Sequence, residues 1–290
     1  MKFGISLPPF AEYAEPRYLA GIAREAEQAG WDGFFLWDHL AYAPPVHPLV
    51  DPWIALAAIA MTTERLHIGP MVTSLARRRP WKVARETVAL DRLSGGRFIM
   101  GVGLGAPAER DFGTFGEENA DRVRAAKLDE GLAILDGLWR GEPFAHQGEY
   151  YTVKESVFLP TPLQQPRIPV WVGGGWDKRA PLRRAARWDG YFPLKWRGLI
   201  SVTEWREIIH AVEQERGANP APFDYIQGGT TPGDDTAQAA EIVAPFAEIG
   251  LTWWIENLDP WRYGLGWEDA WTPGYTEQMN MRIRQGPPRI

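Results

Sequence analysis

Two clusters of residues in this chain are equipped for chemistry. The first is Asp38-His39, at the end of the apolar run Gly33-Phe34-Phe35-Leu36-Trp37. An imidazole titrates near neutral pH, so at the end of a strand it can exchange a proton with a bound molecule. The plainer role for His39 is to close the loop. The second cluster is Gly173-Gly174-Gly175, followed by Lys178, Arg179, Arg183 and Arg184. Backbone N–H groups left free at a helix start, with no side chains in the way and cations nearby, make an anion site. That chemistry suits a phosphate-bearing cofactor. Its plain counterpart is a tight turn with arginines on a wet helix face.

The elements that position these clusters alternate along the whole chain. Lys2 to Leu7, Gly33 to Trp37, Leu66 to Val72, Arg97 to Leu104, Ile168 to Val172, Gly190 to Pro193, Tyr225 to Gly228 and Leu251 to Glu256 read as strands. Helical stretches lie between them. Pro16 to Gly30 opens with a proline and closes on a glycine, and Asp51-Pro52 starts a helix reaching Thr63. Asn119 to Trp139 carries Leu128, Leu132, Leu135 and Leu138 at helical spacing. Eight strand–helix units in 290 residues, with no shift in composition, point to one α/β domain over 1–290, a (β/α)8 barrel. An open doubly wound sheet shares the alternation, but eight units favour the barrel. Around 141–165 the pattern breaks, and Glu149-Tyr150-Tyr151-Thr152-Val153 reads as a hairpin insertion.

Several function classes fall away. Net charge is -6 and the densest basic run is Arg77-Arg78-Arg79, so no nucleic-acid partner is expected. That run reads as a solvated loop or an anion contact. With no cysteine there is no disulfide, no thiolate nucleophile and no Cys-ligated zinc. His39, His47, His67, His146 and His210 show no metal-binding spacing, so no metal site is expected. Gly101-Val102-Gly103-Leu104-Gly105 imitates a dinucleotide fingerprint, but Ala106-Pro107-Ala108 follows where a helix must start. Those glycines instead suit a barrel strand against which a flat ring can lie. No apolar run approaches the roughly 20 residues of a membrane span, and the N-terminus does not read as a signal peptide. A soluble, cytoplasmic protein is expected.

The motifs together resemble the bacterial luciferase-like flavin-dependent oxidoreductases. The resemblance rests on Asp38-His39-Leu40, on Leu66-His67-Ile68-Gly69-Pro70-Met71-Val72-Thr73, and on Leu93-Ser94-Gly95-Gly96-Arg97 leading into Gly101-Val102-Gly103. It continues through Leu138-Trp139-Arg140-Gly141-Glu142-Pro143-Phe144, Gly148-Glu149-Tyr150-Tyr151, Pro169-Val170-Trp171-Val172-Gly173-Gly174 and Arg184-Ala185-Ala186-Arg187-Trp188-Asp189-Gly190. These strings cover about the first two-thirds of the chain in order. The resemblance implies a luciferase-like TIM barrel binding FMN or F420 at its mouth, with His39 as the catalytic residue over the ring. It implies that Asp38 helps hold the ring's polar edge. It implies a non-prolyl cis bond at Met71-Val72, so that Met71, Val72, Thr73 and Gly103 border the cofactor. Gly173, Gly174, Gly175, Trp176 and Arg179 would take its phosphate end. Trp176 and Asp177 stand where FMN enzymes of the family often carry serine, which leans the reading toward F420. F420-dependent sugar-phosphate dehydrogenases carry a glutamate after the strand-four glycines. Here Ala106 fills that slot, with Glu109 further along, which counts against that activity.

The expected function is therefore a flavin-dependent oxidoreductase or monooxygenase acting on a small organic substrate. A separate reductase would supply reduced cofactor, since no nicotinamide site is evident, and the reading is compatible with a homodimer. The alternative is a flavin store or carrier without turnover. A barrel glycosidase would need paired carboxylates. Glu256 ends the eighth strand, but the fourth ends in glycine and alanine. Trp253, Trp254, Trp261, Trp267 and Trp271 either roof the site or pack the last strand, the last helix or a dimer interface.

Overall fold

A computed structural model describes residues 1–42, 44, 46, 48–195, 198–266 and 269–290. His47 and Trp267 lie outside these. The strands are short and buried on both faces, as parallel strands sheathed by helices must be. They are β1 (Lys2–Leu7), β2 (Gly33–Leu36), β3 (His67–Pro70), β4 (Thr73–Ser74), β5 (Met100–Gly103), β8 (Val170–Gly175), β9 (Gly190–Leu194), β10 (Asp224–Gly229) and β11 (Trp253–Asn257). They pair in the order β3-β2-β1-β11-β10-β9-β8-β5-β4. β3 and β4 are one barrel strand, interrupted at the cis Met71-Val72 peptide. The ring closes through that strand: Thr73 and Ser74 pair with Val102 and Gly103, and Ile68 bridges to Phe98.

The barrel's interior is packed solid. Phe35, Met71, Ile99, Trp171, Phe192, Ile226, Trp253 and Ile255 form one buried cluster. The rings of Trp171 and Trp253 lie 5.2 Å apart, and those of Phe35 and Trp171 5.3 Å. Each such ring removes roughly 150–250 Å² from water. A ligand therefore meets the C-terminal mouth of the barrel and not its bore.

Around the barrel run α1 (Pro16–Gln28), α2 (Pro52–Thr62), α3 (Pro80–Leu93), α4 (Ala108–Asp111), α5 (Asp121–Trp139), α6 (Arg179–Ala185), α7 (Val202–Arg216), α8 (Thr236–Glu248) and α9 (Pro273–Arg284). Their starts follow local rules. Asp51 accepts the N–H groups of Trp53 and Ile54 at 2.9 and 3.1 Å, with Pro52 at the first position of α2. Ser201 and Glu204 form a capping box on α7. Gly30, at φ +96°, ends α1 in the left-handed region that its sequence position implied.

β6 (Phe144–Gln147) and β7 (Thr152–Ser156) form an antiparallel pair outside the ring. Glu130 of α5 tethers this hairpin, accepting from Tyr150 N at 2.9 Å and Tyr151 N at 3.1 Å. One element departs from the sequence expectation: the short α4, in the loop after β5, has no periodic signature. The C-terminal helix starts at Pro273, with a 3-10 turn at Pro260–Tyr263 before it. Among the described residues no helix is long and apolar enough to cross a membrane.

Candidate active site

The residues after β2 turn from packing to polar contacts. Trp37 N still bonds Leu7 O at 3.1 Å, and then Asp38 and His39 leave the strand. Asp38 is buried and saturated. Its carboxylate accepts from Thr73 Oγ1 and Arg77 Nη2, from Arg78 Nη2 at 3.0 and 3.1 Å, and from Trp53 Nε1 at 3.1 Å. Burial by itself pushes this carboxyl up. The charges of Arg77 and Arg78, with the Thr73 and Trp53 hydrogen bonds, outweigh it and hold Asp38 below the usual carboxylate range. Both oxygens thus face protein donors, where the resemblance had set Asp38 against the ring's polar edge.

His39 stands at the mouth, its side chain 11% exposed. Nδ1 lies 3.0 Å from Asp111 Oδ2. Asp111 is the last residue of α4 and is buried; its Oδ1 accepts Leu40 N at 3.0 Å. Arg77 Nη1 approaches Asp111 Oδ2 at 3.4 Å, so one guanidinium spans both carboxylates. Three rings hem in the imidazole, with centroids at 6.1 Å (Phe10), 6.0 Å (Trp37) and 5.9 Å (Tyr42). Among the described residues Nε2 has no hydrogen-bond partner.

The cis peptide lies beside this group, because Asp38 holds Thr73, the residue after Val72. Val72 sits between two bare stretches of backbone. A Cβ on Gly103 would come within 2.7 Å of Val72 Cγ2, and one on Gly173 within 3.0 Å of Val72 Cγ1. The barrel's own packing therefore demands glycine at both positions. Asp38 thus binds Thr73 and Val72 meets Gly103 and Gly173, while Met71, Thr73, Gly103 and Gly173 are buried. Gly174 and Gly175 carry the strand onward to Trp176, whose ring lies 4.8 Å from Lys195 Nζ. Arg179 is further out and exposed. It lines an open cleft of about 720 Å³ on the barrel's outer wall with Asp129, Arg183, Arg184, Arg187 and Glu215, apart from His39.

Sequence reasoning missed Asp111 and Trp53, and left Arg77 and Arg78 open between a solvated loop and an anion contact. The Arg77-Arg78-Arg79 run was a usable signal, since two of its guanidiniums neutralise Asp38 instead of facing solvent. Asp111 had none: it is 72 residues from His39 in sequence. Glu109 of the same loop points elsewhere, accepting from Asn119 Nδ2 at 3.0 Å. Glu256 is fully buried among Thr231, Arg262 and Arg282, which removes it as a glycosidase acid. The tail tryptophans divide. Trp253 fills the bore and Trp254 is buried against Phe246, while Trp261 lies tilted against Trp37 at 5.5 Å and Trp271 packs edge-on against Phe10 at 6.1 Å.

The family model described as luciferase-like monooxygenase matches residues 1–280, and the chain belongs to that family. It is 31% identical over 260 residues to an F420-dependent glucose-6-phosphate dehydrogenase of Rhodococcus hoagii, covering 86% of this chain and 74% of the relative. Its fold matches the coenzyme F420-dependent tetrahydromethanopterin reductase of Methanopyrus kandleri with a TM-score of 0.74 at 15% identity, over 98% and 96% of the two chains. It also matches the FMN-bound oxygenating constituent of 3,6-diketocamphane monooxygenase from Pseudomonas putida, with a TM-score of 0.62 at 19% identity, over 79% and 67%.

Proposed function

We propose that this protein is a flavin-dependent oxidoreductase, working with F420 or FMN on a small organic substrate. The observation that carries the reading is the His39 imidazole at the mouth, held at Nδ1 by Asp111 and with no hydrogen-bond partner at Nε2 among the described residues. Val72, half-buried, covers the glycines Gly103 and Gly173, so it is the side chain on which a planar phosphorylated ring at the mouth would rest. When bound, such a group supplies hydride or oxygen chemistry that no side chain here possesses. The chain's part is to bind, orient and handle a proton. His39 gives or takes that proton at Nε2. The backbone of Met71, Val72, Thr73 and Gly103 borders the ring, and Asp38 keeps Thr73 in place. Gly173, Gly174, Gly175 and Trp176 take the phosphate end, with Arg179 beyond them.

F420 is the favoured cofactor, supported by the naming of the Rhodococcus relative. Delivery of reduced cofactor by a separate reductase, a homodimeric assembly and a cytoplasmic location complete the proposal. The test has two parts. Titrating the apoprotein with F420 and with FMN, followed by absorbance and fluorescence, is expected to give saturable binding of one of them. His39→Ala is expected to cut turnover on the order of 10²-fold or more while cofactor affinity stays within a few-fold. Unchanged turnover removes His39 from the mechanism. Binding of neither cofactor removes the proposal.

A further inference from the structure

Asp111 grips His39 in a way that fixes which nitrogen works. We infer that Asp111 is the positioning residue of this site: it holds His39 as the Nδ1–H form, so that Nε2 is the atom that takes up or releases the proton. The inference rests on reading His39 as the proton-handling group and assigns that group its orientation and partner.

Three features carry it. An ionised carboxylate only accepts hydrogen bonds, so at 3.0 Å from Asp111 Oδ2 the imidazole Nδ1 must carry a proton. In the neutral ring Nε2 is then the bare lone pair. Next, Asp111 is itself immobilised. Its Oδ1 takes the N–H of Leu40 at 3.0 Å, so one carboxylate holds both the side chain of His39 and the backbone that follows it. Phe10, Trp37 and Tyr42 block rotation of the ring from the other sides.

The third feature is charge. Asp38 and Asp111 are opposed by Arg77 and Arg78, with the exposed Asp51 4.0 Å from Arg78, and Asp38, Asp111 and Arg77 are buried. A proton arriving on His39 arrives beside the buried Asp111 carboxylate. Such a carboxylate stabilises an imidazolium without itself being protonated. Among the described residues Tyr42 is a further titratable group whose ring packs on His39, and the Asp259 charge acts on Tyr42. Asp111 cannot be the acid that meets the substrate, because it is 1% exposed.

The experiment is nitrogen NMR of histidine-labelled protein, with kinetics on Asp111→Asn and Asp111→Glu. In the wild type, neutral His39 should show a protonated Nδ1 and a bare Nε2. Asp111→Asn, which can donate to Nδ1, should shift the population toward the Nε2–H form. It should lower kcat on the order of 10²-fold, with KM and cofactor affinity little changed. Asp111→Glu should restore part of kcat and the wild-type tautomer. A wild-type spectrum with Nε2 protonated overturns the inference even if no variant folds. So does an Asp111→Asn protein with unaltered tautomer and kcat. If instead His39→Ala leaves turnover intact, the reading of His39 fails, and the tautomer spectrum still reports separately on the Asp111 contact.

Discussion

Each end of the barrel holds a histidine in a nest of charges, and the two nests are built on opposite plans. At the floor, His67 begins β3 with Lys2 Nζ 3.1 Å from its Nε2. Burial and then the Lys2 charge push His67 down to about 4, so it is neutral at pH 7. Its neighbours bind backbone. Arg97 donates to the carbonyls of Ala60, Thr63, Leu66 and Ser94 at 2.6–3.2 Å. Glu27 accepts the N–H groups of Glu64, Arg65 and Leu66 at 2.6–3.0 Å. At the mouth, charges bind one another instead: Asp38 and Asp111 face Arg77 and Arg78, and His39 faces a carboxylate. The floor uses charge to satisfy loop backbone that would otherwise be left unpaired. The mouth uses charge to hold one nitrogen open. This division matches the general rule that barrels keep stability at the N-terminal face and chemistry at the other.

The largest break in this comparison should come from Arg77. Arg77→Met removes the cation shared by two buried carboxylates, leaving Asp38 with Arg78 and Asp111 without an arginine, and is expected to cost about 3–5 kcal/mol in urea unfolding. It should also loosen His39. The matching floor variant, Arg97→Met, should cost about 1–3 kcal/mol and leave cofactor affinity unchanged. Equal functional losses from the two variants would erase the distinction between the ends.

A second comparison uses pH. His67 titrates lower folded than unfolded, so its contribution to stability is present above about 6.5 and disappears as pH falls toward 4. His67→Gln should therefore flatten the acid limb of the stability curve by roughly 3 kcal/mol without lowering turnover. Asp259, near the mouth, behaves in the opposite sense. Burial raises it from 3.8 to about 6, against the backbone hydrogen bonds from Arg262 and Trp261. Its contribution is present below 3.8 and lost as pH rises to 6. Asp259→Asn should raise stability at pH 8 by about 3 kcal/mol and change little at pH 4, read as Tm against pH.

Much of the scaffold was legible without coordinates. Each parallel strand is buried on both faces and so appears as an apolar run between turn residues, which is why eight strand positions emerge from the chain. Helix starts such as Asp51-Pro52 are equally local. His39 was legible too, because its address at a strand end is a sequence property. Strand direction and burial of alternate residues were less so: adjacent Trp253 and Trp254 fall on opposite faces of β11, one in the bore and one against α8.

The chain's order of residues by itself determined the alternating elements, the glycine positions beside Val72 and the imidazole at the end of β2. Tertiary structure alone decided that Arg77 and Arg78 turn inward onto Asp38, and that a carboxylate from the loop after β5 meets His39. The physical reason is range. Caps, strands and turns depend on neighbours a few residues apart, whereas a buried charge finds its partner only where closing the barrel brings distant loops together and excludes water between them.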